Sequence, residues 1–131
     1  MAVVVLGYVA TPEGNAALDR AVEEARIRHA RLVAVLSHRD DEPPAAGGPE
    51  ADARQHVEAR LMASGLAFEV RGVRGDDAAE DIVATAAATR ADLVVIGLRR
   101  RSPVGKLLLG SHAQRILLEA QCPVLAVKAA D

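Results

Sequence analysis

Aromatic side chains are nearly absent from this 131-residue chain: Tyr8 and Phe68 are the only two, and there is no tryptophan. Proteins that grip single-stranded nucleic acid stack its bases on such rings, so that class of partner is excluded. Lys and Arg number 16 against 18 Asp and Glu, a net charge of −2, and no overall field draws the chain toward a polyanion. Cysteine occurs once, as Cys122, which excludes an internal disulfide and a cysteine-built zinc finger. No apolar run approaches the roughly 20 residues of a membrane span. The start lacks a basic region and a small-residue cleavage site, and Glu13 soon follows the apolar Ala2–Leu6, so no secretory signal is read. The expectation is a cytoplasmic protein with neither membrane nor nucleic acid as partner.

Hydrophobic residues make up 50% of the chain, and its length fits one domain, taken as residues 1–131. A chain of this size buries about two-thirds of its unfolded surface, enough for a real core. The apolar pattern alternates short strand-like runs with longer helical stretches. Val3–Tyr8 reads as a strand; Thr11-Pro12-Glu13 reads as an N-cap, a first-turn proline and a first-turn acid. Leu18, Val22, Ala25 and His29 then place one stripe on a helix of about 18 residues, with His29 on its inner side. Arg31–Ser37 is a second strand, and 40–50, with Pro43, Pro44, Gly47, Gly48 and Pro49, is a surface loop. A helix over Ala51–Ser64 turns Val57 and Leu61 inward and stops at Gly65; Ala67–Val73 is a third strand. Asp77 and Glu80 have capping-box spacing before a helix whose Ala79, Ile82, Val83 and Ala86 share a face. Leu93–Gly97 is a fourth strand. Ser111 and Gln114 repeat the capping-box spacing before a helix carrying Ile116, Leu117 and Ala120, and Val124–Lys128 is a fifth strand.

Five strands alternating with four helices predict an α/β fold, an open doubly wound parallel sheet with helices on both faces. Ligands of such sheets sit beyond the carboxyl ends of the strands where the winding reverses. The connection after the fourth strand stands out: about a dozen residues lie between Gly97 and Ser111, where about 2–6 are usual. It is basic (Arg99, Arg100, Arg101, Lys106), carries glycine at both ends, and delivers the chain to a helix start. Free backbone amides and the positive end of a helix dipole attract an anion, phosphate above all. Glycine there lets backbone approach a ligand, and the Ser111 hydroxyl can donate to a phosphate oxygen. Equally ordinary readings exist: a strand-end glycine, a capping serine and solvated arginines. The loop is not a Walker A motif, because Arg100 stands at its first glycine and Leu107 where Ser or Thr is required; no Gly-x-Gly-x-x-Gly occurs.

At these residues the chain resembles the universal stress proteins, which carry Gly, two residues, Gly, nine residues, then Gly-Ser or Gly-Thr after their fourth strand. Gly97-Leu98-Arg99-Arg100, nine residues, and Gly110-Ser111 keep that register, with Leu107-Leu108-Leu109 before it closes and Cys122-Pro123-Val124-Leu125 in the expected place. The likeness runs the length of the chain, through Gly75-Asp76 and Ala91–Gly97. It implies a single-domain sheet in the order 3-2-1-4-5 with four helices, of the adenine nucleotide alpha hydrolase-like kind. It also implies an ATP site, with Mg2+ as counter-ion. Gly97, Gly110 and Ser111 would line the triphosphate and ribose with His112 next to them, Arg99 and Arg100 beside the phosphates, Ser37 at the adenine, and Tyr8 and Val9 at the end of the first strand. Two positions depart from the family pattern. Arg100 replaces the second glycine, and Val9 replaces an acid that touches the nucleoside. Strain of about 1 kcal/mol at Arg100, if φ is positive there, is offset by charge-assisted phosphate bonds of about 1.5–3 kcal/mol. The expectation is weakened but real binding.

Other constellations carry less. Ser111 and His112 are adjacent, and neighbouring helical side chains point about 100° apart, which is wrong for a nucleophile and its base. Asp40, Asp41 and Glu42 read as a solvated charge run, the four histidines lack metal spacing, and Cys122 reads as a small buried hydrophobe. Val124–Lys128 would be an edge strand, and the resemblance implies a homodimer paired through it. The leading functional expectation is therefore a nucleotide-binding regulator of the stress response, with at most slow ATP hydrolysis. The alternative is a dimeric protein-interaction scaffold that binds no nucleotide.

Overall fold

Val3–Tyr8 forms strand β1 with every residue buried, as a strand enclosed on both faces must be. A computed structural model of the chain describes residues 1–37, 49–72, 77–98 and 110–129. After β1 come α1 (Pro12–Arg28), β2 (Arg31–Leu36), α2 (Pro49–Ser64), β3 (Phe68–Gly72), α3 (Ala78–Thr89), β4 (Leu93–Leu98), α4 (Ser111–Glu119) and β5 (Val124–Lys128). The five strands are parallel in the order β3-β2-β1-β4-β5. Successive crossovers step outward from β1 to β3, return past β1 to β4, then step outward again. Right-handed connections put the helices of the two directions on opposite faces.

The side chains divide accordingly. Val4, Leu6, Tyr8, Leu32, Ala34, Leu36, Leu93 and Val95 pack under α1 and α2, against Leu18, Val22, Val57 and Leu61. Their neighbours Val3, Val5, Val33, Val35, Val94 and Ile96 pack under α3 and α4, against Ala79, Ile82, Ala86 and Ile116. Each fully buried Val or Leu contributes about 1.5–3 kcal/mol, so the two faces share the stabilisation.

Local signals set most helix ends. Thr11 caps α1 by accepting from the Gly14 amide at 3.0 Å, with Pro12 opening the helix. Asp77 caps α3 by accepting from the Glu80 amide at 3.2 Å. Gly65, at φ +74, follows the end of α2 as expected. Three expectations are corrected. His29 is not on the inner face of α1: it is the exposed C-cap at φ 52, its amide turned back to the Ala25 and Arg26 carbonyls, so the buried stripe ends at Ala25. Pro49 and Glu50 belong to α2 rather than to the preceding loop, because proline is well suited to a first helical position. Ala120 is not carried within α4 but is its extended C-cap, at φ −66 and ψ 138; of the helix itself Ile116 alone is buried, and Leu117 is exposed. The charge run Asp40-Asp41-Glu42 lies outside the described residues.

The outer edges differ in chemistry. On β3, Glu69 bonds to Arg71 and sits 3.7 Å from Arg31 of β2. The Arg71 hydrogen bond, helped by the charges of both arginines, holds the Glu69 carboxyl below its ordinary value. On β5, Val124–Val127 are half-buried and the first charge is Lys128.

Two outcomes follow for stability. Leu61→Ala, at a fully buried site, lowers the unfolding free energy by about 2–5 kcal/mol, whereas Met62→Ala, at a side chain 73% exposed, stays within about 0.5 kcal/mol; urea midpoints at constant slope measure both. Because the folded pKa of Glu69 is lowered, its stabilisation is present above the ordinary glutamate value of about 4.3 and is lost as pH falls through the lowered one. Solvent exposure limits it to about 0.5 kcal/mol. Glu69→Gln is accordingly slightly less stable than the parent at pH 7 and equal to it in strong acid, as a urea series across pH tests.

Candidate functional site

The winding reverses between β1 and β4, which places the crevice of the sheet beyond Tyr8 and Leu98. At the end of β1 the Tyr8 carbonyl accepts from both the Ser37 amide (2.9 Å) and the Ser37 hydroxyl (3.2 Å), which fixes the exit of β2 against β1. The Tyr8 ring turns into the core beneath α1 and α2 and is 2% exposed. Its hydroxyl donates to Asn15 Oδ1 at 2.8 Å, and burial pushes the phenol pKa up. His56 of α2 places Nε2 3.2 Å from the same oxygen, with the two rings tilted at 6.4 Å. Asn15 and His56 were not singled out for this contact, because a pairing between helices leaves no local signal. Half-buried Val9 follows, its carbonyl accepting from the Thr11 amide at 2.8 Å.

Two helices begin at this rim, and they are finished differently. At α1 the first turn is closed: Pro12 has no N–H, the Gly14 amide goes to the Thr11 hydroxyl, and the Asn15 amide goes to the Thr11 carbonyl at 2.9 Å. At α4 the expected Ser111–Gln114 capping box is not formed. The N-cap is Gly110, at φ −63 and ψ 160, and it has no side chain with which to cap; Ser111 is already the first helical residue. The Gln114 amide reaches the Gly110 carbonyl at 3.0 Å. Among the described residues nothing accepts from the amides of Ser111, His112 and Ala113, and the side chains of Ser111 and His112 are exposed. These amides and the dipole behind them favour an anion. One turn on, Arg115 bonds to Asp77, the cap of α3, and to Glu119 at 2.7 Å, so its charge is balanced within the protein.

Gly97 meets a neighbour that the sequence reading did not anticipate. A Cβ there would lie 2.6 Å from the Glu13 carbonyl oxygen and 3.1 Å from the Gly14 nitrogen. The first turn of α1 therefore occupies the space of the missing side chain. Gly14 is tighter still, since its Cβ would fall 1.7 Å from the Val9 carbonyl oxygen. Arg99 and Arg100 lie outside the described residues, as do Arg101 and Lys106.

The described residues contain no cluster of His, Cys, Asp and Glu able to hold a metal ion, and no helix among them is long and apolar enough to cross a membrane. Cys122 is half-buried rather than fully buried, against the α3 and α4 face. Burial first, then the charge of Asp92, pushes its thiol pKa up, which keeps it protonated and unreactive at neutral pH.

Known proteins share this fold. The model of the universal stress protein family matches residues 1–128. A universal stress protein of Mycolicibacterium smegmatis is 45% identical over 125 residues, spanning 95% of this chain and 96% of its own. Among solved structures, a universal stress protein in complex with cAMP is 25% identical, with a TM-score of 0.76 and 98% of both chains covered. The universal stress protein from Archaeoglobus fulgidus in complex with dAMP is 27% identical, with a TM-score of 0.72 and the same coverage. The glycine register from Gly97 to Ser111, the strand order with its adenine nucleotide alpha hydrolase-like architecture, and a match running almost from end to end agree: the chain belongs to the universal stress protein family.

Proposed function

We propose that this protein, folded as one domain over residues 1–131, binds an adenine nucleotide, ATP with Mg2+ as counter-ion, and acts as a cytoplasmic regulator of the stress response rather than as a catalyst. The observation that carries the reading is the start of α4, where the cap is a glycine and the first amides have no acceptor among the described residues at the switch point. Relatives crystallised with cAMP and dAMP support the adenine nucleotide as the anion's class. In this reading the amides after Gly110 and the Ser111 hydroxyl take the phosphates, with His112 beside them. Arg99 and Arg100 add charge from the loop, Ser37 meets the base, and the backbone of Tyr8, Val9 and Gly97 forms the floor. Ser111 and His112 lack a hydrogen bond to each other among the described residues, which suits binding better than nucleophilic chemistry.

The half-buried edge strand β5 supports a homodimer paired through Val124–Lys128. Exposed Leu117 and Leu118, the latter 77% exposed, favour a second reading, in which the dimer serves as a protein-interaction scaffold without nucleotide.

Thermal melts separate the readings. At a ligand excess of about 100 times Kd, Mg-ATP stabilises the protein by about 2.7 kcal/mol, an upward shift of several degrees; no shift at millimolar ATP leaves the scaffold. Gly110→Asp supplies α4 with the cap it lacks, raising the ligand-free melting temperature slightly while its carboxylate occupies the amides and repels phosphate, so the ATP shift disappears. Light scattering returns twice the mass of one chain, and a single-chain mass removes the β5 dimer.

A further inference from the structure

The glycine near the end of β4 has a use besides ligand approach. We propose that Gly97 is a positioning residue for the nucleotide crevice: its missing side chain lets the first turn of α1 seat on the end of β4, and that seat sets the distance between the starts of α1 and α4. The inference rests on the nucleotide reading above and extends it to a residue whose empty side is filled by protein.

Three backbone segments interlock without room for a methyl group. The exit of β1 touches α1 where the Val9 carbonyl faces Gly14, and α1 touches β4 where the Glu13 carbonyl and the Gly14 amide face Gly97. Thr11 clasps the same turn from within, through its hydroxyl and carbonyl. A Cβ at position 97 would sit 2.6 Å from the Glu13 oxygen, and ordinary contact begins at 3.4 Å, so the turn must retreat by about 0.8 Å (3.4 minus 2.6). The obstacle is backbone inside a hydrogen-bonded turn, and no rotamer change relieves it. Moving it moves one wall of the crevice while α4, tied through Arg115 to Asp77, stays in place.

Gly7 supplies the internal comparison. It lies on β1 opposite Ile96, the neighbour of Gly97, but faces the other side of the sheet. There a Cβ would meet the end of the Ile82 side chain at 2.7 Å and Ile96 Cγ2 at 3.3 Å. Ile82 can swing aside, so Gly7→Ala perturbs the sheet at nearly the same depth without displacing α1.

The test titrates Mg-ATP calorimetrically into the full chain and three variants, and follows amide hydrogen exchange in residues 9–16 of each without nucleotide. Gly97→Ala weakens ATP binding about 10-fold, the scale of one or two lost phosphate hydrogen bonds, and speeds exchange in residues 9–16. Thr11→Ala, which only uncaps the same turn, acts in the same direction by about 3-fold and carries the test if Gly97→Ala does not fold. Gly7→Ala stays within about 2-fold in affinity, with exchange in residues 9–16 unchanged. Parental affinity in Gly97→Ala overturns the proposal. So does weakened binding with parental exchange, which would mean a direct clash with the ligand. If the parent protein binds no ATP, the nucleotide reading falls, and exchange alone decides the seat: faster in Gly97→Ala supports it, unchanged overturns it.

Discussion

The described elements are arranged around β1, a strand buried along its whole length. Its two edges are hydrogen-bonded to β2 and β4, and its two faces are covered by helices from opposite sides. Any neighbour of such a strand must satisfy its backbone or bury its side chains, and here each does so in turn. Chain direction does the rest. The crossovers run outward to β3, come back past β1, and leave one gap between diverging connections at the carboxyl rim.

What gives that gap its chemistry is an inequality between two helix starts of similar placement. Hydroxyl, carbonyl and proline together leave little at the start of α1 for a ligand. At α4 the capping position has no side chain at all, and its first amides find no acceptor among the described residues. Positive potential there comes from oriented backbone, and among the described residues no carboxylate is bonded to it. The nearest arginine on the helix, Arg115, is balanced by Asp77 and Glu119 and adds little.

Much of this was legible in the residues, for local reasons. Thr11-Pro12, Asp77 with Glu80, and Gly65 act on amides or dihedrals a few residues away, so their spacing states their role. The apolar runs Val3–Tyr8, Leu32–Leu36 and Leu93–Gly97 announced a sheet covered on both faces, while the strand order came through the family likeness, since periodicity does not rank neighbours. The misreadings share a cause. His29 keeps helical spacing yet leaves the helix at a left-handed cap, a turn that spacing does not register. Ser111 has the composition of a cap one residue too late, because Gly110 takes the position. The meeting of Tyr8 and Asn15 with His56, and the filling of Gly97's empty side by α1, depend on tertiary partners far along the chain.

The unequal margins of the sheet carry a consequence for how many copies can associate through it. One margin bears interlocked charges, Glu69 with Arg71 and Arg31, which would have to be stripped of water before another strand could lie alongside. The other is apolar up to Lys128. If two copies pair through β5 as proposed, the receptive flank of each meets that of its twin edge to edge, and the union offers nothing further to add to. Growth by this route would close at a pair, and a strand edge that could otherwise seed fibrils would be used up by it.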